Sequence, residues 1–68
     1  MDNIDVRKYI ISNFKDSDVE ELRSSIVDSV SSGDDDPLIG LGVLFEILWK
    51  NSSCEEQNII LNNIKKGM

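Results

Sequence analysis

Apolar residues recur along the chain at the spacing of an α-helix, in four segments separated by turn-forming residues. The first segment runs over residues 3–14. Within it Val6, Ile10 and Phe14 repeat every four residues, and Tyr9 lies beside them. Positions four apart share one side of a helix, so these side chains predict an amphipathic helix with a single apolar face.

The second segment opens with a predicted capping box. Ser17 and Glu20 are three positions apart, so each side chain is expected to accept a hydrogen bond from the other residue's backbone amide. Gly33 is placed to end this helix in the left-handed conformation. Between these ends the apolar residues follow helical spacing and predict one face: Val19, Leu22, Ile26, Val27 and Val30.

The third segment, residues 38–49, is apolar almost all round and is interrupted only by Glu46. Before it, Asp36 is expected to cap the helix and Pro37 to occupy its first turn, where a missing amide costs nothing. Glu46 and Lys50 are four apart and predict an exposed ion pair. A helix with so much apolar surface belongs at the centre of a bundle or at an interface.

The fourth segment begins with a second predicted capping box, Ser53 to Glu56, and Gly67 is placed to end it. Its apolar face comprises Ile60, Leu61 and Ile64, with Ile59 at the margin. The short link 51–52 predicts a hairpin with the third helix. Together the segments predict an all-α fold, a small compact bundle of about four short helices with the apolar third helix at its centre, forming one domain over residues 1–68.

Composition narrows the possible chemistry. The chain has no histidine and one cysteine, Cys54, so we expect no catalytic residues, no metal site and no cofactor. The loop 34–36 holds three aspartates, but it lacks the alternating ligands of a calcium loop and is interpreted as a solvated turn.

The charge balance and the length of the apolar stretches argue against nucleic acid and membranes as partners. The net charge is −6, from 13 acidic and 7 basic residues, and residues 1–36 alone carry ten acidic and four basic side chains. Nucleic-acid binding normally requires a basic face, so that role is disfavoured. No uncharged apolar stretch approaches the ~18 residues of a membrane span, and the first residues lack the pattern of a secretory signal, so we expect no membrane association.

The candidate interaction surface lies on the third helix. Leu41, Phe45 and Trp49 are spaced by four and are either the core anchor or the contact with a protein partner or a second copy. Gly40 and Gly42 flank the first of them. These glycines are too few for a phosphate-binding loop, and we interpret them as sites of close helix packing or of an irregular helix start.

Residues 40–52, Gly-Leu-Gly-Val-Leu-Phe-Glu-Ile-Leu-Trp-Lys-Asn-Ser, resemble the signature of the small acid-soluble spore proteins of type I, found in spore-forming relatives of Bacillus and Clostridium. Residues 26–28, followed by Ser32-Gly33 and the acidic run, resemble the second helix and turn of that family. Members of the family commonly have a proline between the leucine and the glycine that open the signature. Here Ile39 stands at that position, after Leu38, and the proline lies earlier, at Pro37.

The resemblance implies a small acidic, non-enzymatic protein made during sporulation and resident in the spore core, the cytoplasmic compartment of the forespore. It carries over no catalytic residue. It leaves the partner unknown, with a structural or protein-interaction role as the leading hypothesis and association with nucleic acid as the alternative. The DNA-coating α/β-type spore proteins are a separate family, which this chain does not resemble.

Overall fold

The computed structural model describes residues 5–68, and this part of the chain is built from helices without a β-strand. The predicted all-α bundle is confirmed. Its four helices are α1 (Val6–Phe14), α2 (Val19–Ser32), α3 (Leu38–Lys50) and α4 (Cys54–Gly67). The predicted start of the first helix at residue 3 lies outside the described residues.

The capping box of α2 lies one residue later than predicted. Asp18, not Ser17, is the N-cap: its carboxylate accepts from the Glu21 amide at 2.8 Å, and the Glu21 side chain accepts from the Asp18 amide at 2.9 Å. The Ser17 amide instead donates to the Phe14 carbonyl at 3.0 Å. Ser17 therefore closes the turn after α1, and the next residue opens α2.

The turn between α2 and α3 confirms one expectation and corrects another. Gly33 adopts φ +72°, the left-handed conformation predicted for the end of α2. Asp36 does not cap α3. Pro37 occupies the N-cap position with φ −71° and no side-chain cap, and the Leu38 amide donates to the Asp35 carbonyl at 3.0 Å. The proline thus begins the helix through its restricted φ.

The predicted capping box of α4 is confirmed. Ser53 Oγ accepts from the Glu56 amide at 3.1 Å, and the Glu56 carboxylate accepts from the Ser53 amide at 2.7 Å. The preceding turn is held by side chains that satisfy the last carbonyls of α3: Asn51 Nδ2 donates to Ile47 O and Ser52 Oγ donates to Leu48 O. Backbone carbonyls at the end of α3 and backbone amides at the start of α4 therefore have side-chain hydrogen-bond partners.

The main helix packing joins α3 to α1 and to α2, so α3 lies between them. A tight turn joins α3 to α4 as predicted, but the packing between these two helices is weaker than that of α3 on α1 and α2. Among the described residues Val43 is the one buried side chain, at 7% exposure. Leu38, Ile39 and Leu48 are 57%, 63% and 49% exposed, so part of the apolar surface of α3 remains in contact with solvent.

The predicted apolar faces of α1 and α2 are only partly covered. Ile10, Phe14 and Leu22 are half-buried, whereas Tyr9 is 64% exposed and does not join the packed face. On α2 the other members of the predicted stripe are all exposed: Val19, Ile26, Val27 and Val30. The polar residues Ser25 and Ser29 are half-buried instead, and they line a crevice with Pro37 and Gly40.

Candidate interaction surface

An apolar groove of ≈ 460 Å³ lies between α2 and α3. Every residue that lines it is aliphatic or aromatic and none carries a charge: Leu22, Ile26, Leu41, Leu44, Phe45, Ile47 and Leu48. We call this set the α2–α3 groove. It forms because α2 and α3 both present apolar stripes, whereas their packing covers only part of each stripe.

The groove extends towards α1. A smaller adjoining depression of ≈ 220 Å³ is lined by Ile11, Phe14 and Lys15 together with Leu22, Leu44 and Ile47, which also line the α2–α3 groove. Three shared residues make the apolar surface continuous. It is therefore a patch that spans three helices rather than a set of scattered exposed side chains, and patches of this kind mark interaction sites.

The three residues of the candidate surface predicted from sequence take two different positions relative to the groove. Leu41 and Phe45 line the α2–α3 groove, and Phe45 is 40% exposed. Trp49 does not line it. The indole is half-buried and stacks on Phe45, with ring centroids 6.0 Å apart and an interplanar angle of 29°. The two rings form one aromatic pair at the edge of the groove.

Trp49 also marks the junction with α4. Its carbonyl accepts a hydrogen bond of 2.9 Å from Gln57 Nε2, and Gln57 is half-buried. This contact ties the first turns of α4 to the end of α3. Further along α4 three apolar residues remain exposed, Ile59 at 60%, Leu61 at 50% and Ile64 at 44%, so the outer part of this helix is also largely uncovered.

Sequence reasoning missed Ile26 and Leu48 as members of the candidate surface. Both are exposed, at 36% and 49%, and both line the groove. The signal for Ile26 was its place in the apolar stripe of α2, which the spacing predicts as a single face. Leu48 gave no separate signal because its whole segment is apolar and sequence alone does not order the sides of such a helix.

An ion pair joins α1 to α3 beside Val43. Arg7 Nε and Nη2 donate to the two carboxylate oxygens of Glu46 at 2.7 and 2.9 Å. The prediction that Glu46 forms its ion pair with Lys50 is therefore wrong, because Arg7 is its partner. The hydrogen bonds from Arg7 lower the pKa of Glu46, and the charge of Lys50 contributes in the same direction. The pKa of Arg7 is raised by the same pair.

The glycines of α3 do not have the packing role we predicted within the chain. A Cβ on Gly40 would lie 3.9 Å from Ile10 Cδ1, which is an ordinary contact, and a Cβ on Gly42 would meet nothing within 4 Å. The helix is also regular through both positions, since α3 starts at Leu38. Neither close packing nor an irregular start explains them.

Polar chemistry is sparse in the part of the chain that the structure describes. No group of three or more His, Cys, Asp or Glu side chains is placed there to hold a metal ion. Cys54 is exposed in the first turn of α4. In residues 5–68 no helix is both long and apolar enough to cross a lipid bilayer.

Comparison with known proteins places this architecture in context. Residues 4–68 match the family model described as "Small, acid-soluble spore protein I". A protein of that name from Halalkalibacterium halodurans is 36% identical over 66 residues, covering 97% of this chain and 97% of the relative. The match therefore includes all four helices.

Two further relatives with the same name agree closely. The Bacillus subtilis protein is 36% identical over 66 residues, covering 97% of this chain and 93% of its own length. The Bacillus cytotoxicus protein is 35% identical, covering 97% and 94%. No solved structure matches the chain at a significant level.

Proposed function

The chain belongs to the small, acid-soluble spore protein I family, a family of sporulation proteins, and from this premise we propose that it is a non-enzymatic component of the spore core that acts through protein contacts. Synthesis in the forespore and residence in the core are part of this proposal. The observation that carries the interaction role is the uncharged α2–α3 groove, which stays open to solvent in the isolated chain.

A protein-contact role is supported by the chemistry of the groove. Aromatic residues are enriched at the centre of protein interfaces, and charged residues are depleted there. The groove combines an aromatic residue, Phe45, with aliphatic residues from two helices. A surface of this composition gains free energy when another apolar surface covers it, because apolar area then leaves water.

The non-enzymatic part of the proposal is supported by the side chains that are present. Histidine is absent from the sequence, so the commonest general base is missing. Cys54 is the single thiol, and no histidine is present to act as its base. The composition thus offers no evident nucleophile and base pair.

Acid solubility follows from the charge balance. Below the pKa values of the carboxyl groups the 13 acidic side chains become neutral, and the 7 basic side chains leave a positive chain. A small protein with that net charge remains dispersed through mutual repulsion. This property concerns extraction in acid and does not by itself define a role in the spore.

Association with nucleic acid is less well supported. Arg7 is engaged by Glu46, and Arg23 lies 3.5 Å from the Glu20 carboxylate, so two of the four basic residues in the acidic half already face carboxylates. A gel-shift titration at low salt tests the alternative. Retardation of duplex DNA at low micromolar protein would favour it, and free DNA throughout the titration would exclude it.

The direct test of the proposed location is fractionation of sporulating cells. Immunoblots of vegetative cells, mother-cell lysate, spore coat extract and spore core extract are compared over the time course of sporulation. We expect the protein in the core extract alone, after engulfment. Its presence in vegetative cells or in the coat fraction would contradict the proposal.

The interaction role is tested in the same spores with paired variants. Ile26→Glu places a carboxylate in the α2–α3 groove, and Val27→Glu places one at the neighbouring, 54% exposed position outside it. Chemical crosslinking in intact spores should join the wild type and Val27→Glu to a protein partner. The same crosslinked species should be absent with Ile26→Glu. Equal adducts from all three would contradict a contact through the groove.

A further inference from the structure

We infer that the occupant of the α2–α3 groove is the same groove of a second copy of this chain, in a symmetric homodimer. The inference deepens the proposed function, since it names the partner of the surface described there. It rests on the amount of exposed area, on the composition of the groove and on where the charges lie.

The exposed area exceeds that of a folded monomer of this size. The accessible surface is 5824 Å² for a chain of 7.7 kDa, whereas the scaling of monomeric proteins gives about 4300 Å². The excess is about 1500 Å², and a standard interface removes about 800 Å² from each partner. A dimer of ordinary size would therefore remove about half of this excess.

The dimensions of the bundle point the same way. The Cα radius of gyration is 13.3 Å, whereas a folded domain of this length is expected near 11 Å. Val43 is the one buried side chain among the described residues, so a single copy has little enclosed core. A second copy would supply the missing layer of apolar side chains on α3.

The groove is suited to a copy of itself. A twofold interface brings the same patch of both subunits together, so each subunit must provide both a depression and the side chains that fill it. Here the depression lies between α2 and α3, and Ile26, Phe45 and Leu48 line its walls and are partly exposed. Two grooves facing each other would thus exchange aliphatic and aromatic side chains.

The position of the charges permits this contact. The lining is uncharged, so the centre of the interface brings no carboxylates together. The net charge of −6 on each copy still repels a second copy at longer range. Added salt screens that repulsion and should strengthen self-association, whereas binding to a basic partner would weaken with salt.

The test is sedimentation equilibrium of the purified full chain from micromolar to millimolar concentration, with reductant present so that exposed Cys54 stays a thiol. We expect the average mass to rise with concentration from 7.7 kDa towards twice that value. Added salt should bring the mass closer to that of the dimer at the same protein concentration. A mass that stays at that of one chain up to millimolar concentration would overturn the inference.

Variants locate the interface. Ile26→Glu and Leu48→Glu enter the groove from its two walls and should each weaken self-association by about tenfold or more, because an unpaired carboxylate is buried in the contact. Val27→Glu should self-associate like the wild type. Circular dichroism of each variant verifies that its helices are intact. The salt dependence of wild-type self-association tests the homodimer even where a variant fails to fold. Equal weakening by Ile26→Glu and Val27→Glu would overturn the assignment to the groove.

The two proposals fail separately. Purified protein that remains monomeric ends the homodimer but leaves the spore-core role and a different partner in place. Protein found outside the core ends the proposed location but does not change the mass measured by sedimentation.

Discussion

Arg7 on α1 and Glu46 on α3 are 39 positions apart in sequence and meet in a bidentate ion pair, with Nε–Oε1 at 2.7 Å and Nη2–Oε2 at 2.9 Å. A guanidinium binds a carboxylate in this geometry in one orientation. Both side chains remain partly exposed, so solvent weakens the attraction. The pair therefore fixes how α1 lies on α3 more than it stabilises the fold.

We expect Arg7→Gln, Glu46→Gln and the double variant to lower the urea midpoint by similar small amounts, because each removes the same contact. Arg7→Lys should behave like Arg7→Gln, since an ammonium lacks the planar fork that makes both hydrogen bonds. Urea unfolding followed by circular dichroism measures the midpoints. Additive effects in the double variant would show that the two side chains act independently.

The ion pair also predicts a pH dependence. The pKa of Glu46 is lowered from its ordinary value of 4.5, first by the hydrogen bonds from Arg7. A carboxyl group with a lowered pKa in the folded state contributes stability above its ordinary pKa and loses it as pH falls through the lowered value. The folded chain should therefore lose this contribution in acid.

The variant Glu46→Gln isolates that effect. Its stability should fall less steeply than that of the wild type as the pH drops below 4.5, because the amide has no proton to gain. Thermal unfolding at a series of pH values gives the two curves. Parallel curves through this range would mean that Glu46 does not titrate differently in the folded chain.

Val43→Ala should be among the most damaging single substitutions. Val43 is 7% exposed, and removing two buried methyl groups costs about 2 kcal/mol, while a core of this size supplies only about 3–5 kcal/mol. The matched control is Val27→Ala, at a 54% exposed position, which should change the free energy of unfolding by about 0.5 kcal/mol or less. Similar losses for both would show that Val43 is not the buried centre.

The displaced capping box of α2 is tested by neighbouring variants. Asp18→Ala should lower the free energy of unfolding by about 1 kcal/mol, because the Glu21 amide loses its acceptor. Ser17→Ala should have a smaller effect, since the backbone amide of Ser17, not its hydroxyl, makes the turn contact. Urea unfolding of both variants gives the order, and the reverse order would favour the start predicted from sequence.

Local signals in the sequence predicted the local structure well. Helical spacing located all four helices, and Gly33 and Ser53 mark ends that depend only on residues within one turn. The α2 start was misplaced because Ser17 and Asp18 are both good caps with an acidic residue three positions on. The hydrogen bonds of the Asp18 capping box and the turn contact from Ser17 to Phe14 distinguish them in the structure.

Contacts between distant residues were not accessible from the pattern. Glu46 has a suitable partner four residues away in Lys50, yet it binds Arg7, because packing of α1 on α3 brings the guanidinium to it. The apolar length of α3 indicated a central or interfacial helix but not which side is covered. In the fold Leu41 and Phe45 line the groove together with Ile26 and Leu48, whereas Trp49 stacks on Phe45 at its edge.

The most direct measurement is NMR of a mixed sample, half isotope-labelled and half unlabelled, filtered for nuclear Overhauser effects between chains. The account predicts contacts between chains at the side chains of Ile26, Phe45 and Leu48 at millimolar concentration. Contacts confined to Ile59, Leu61 and Ile64 of α4, or no contact between chains at all, would contradict a homodimer formed through the α2–α3 groove.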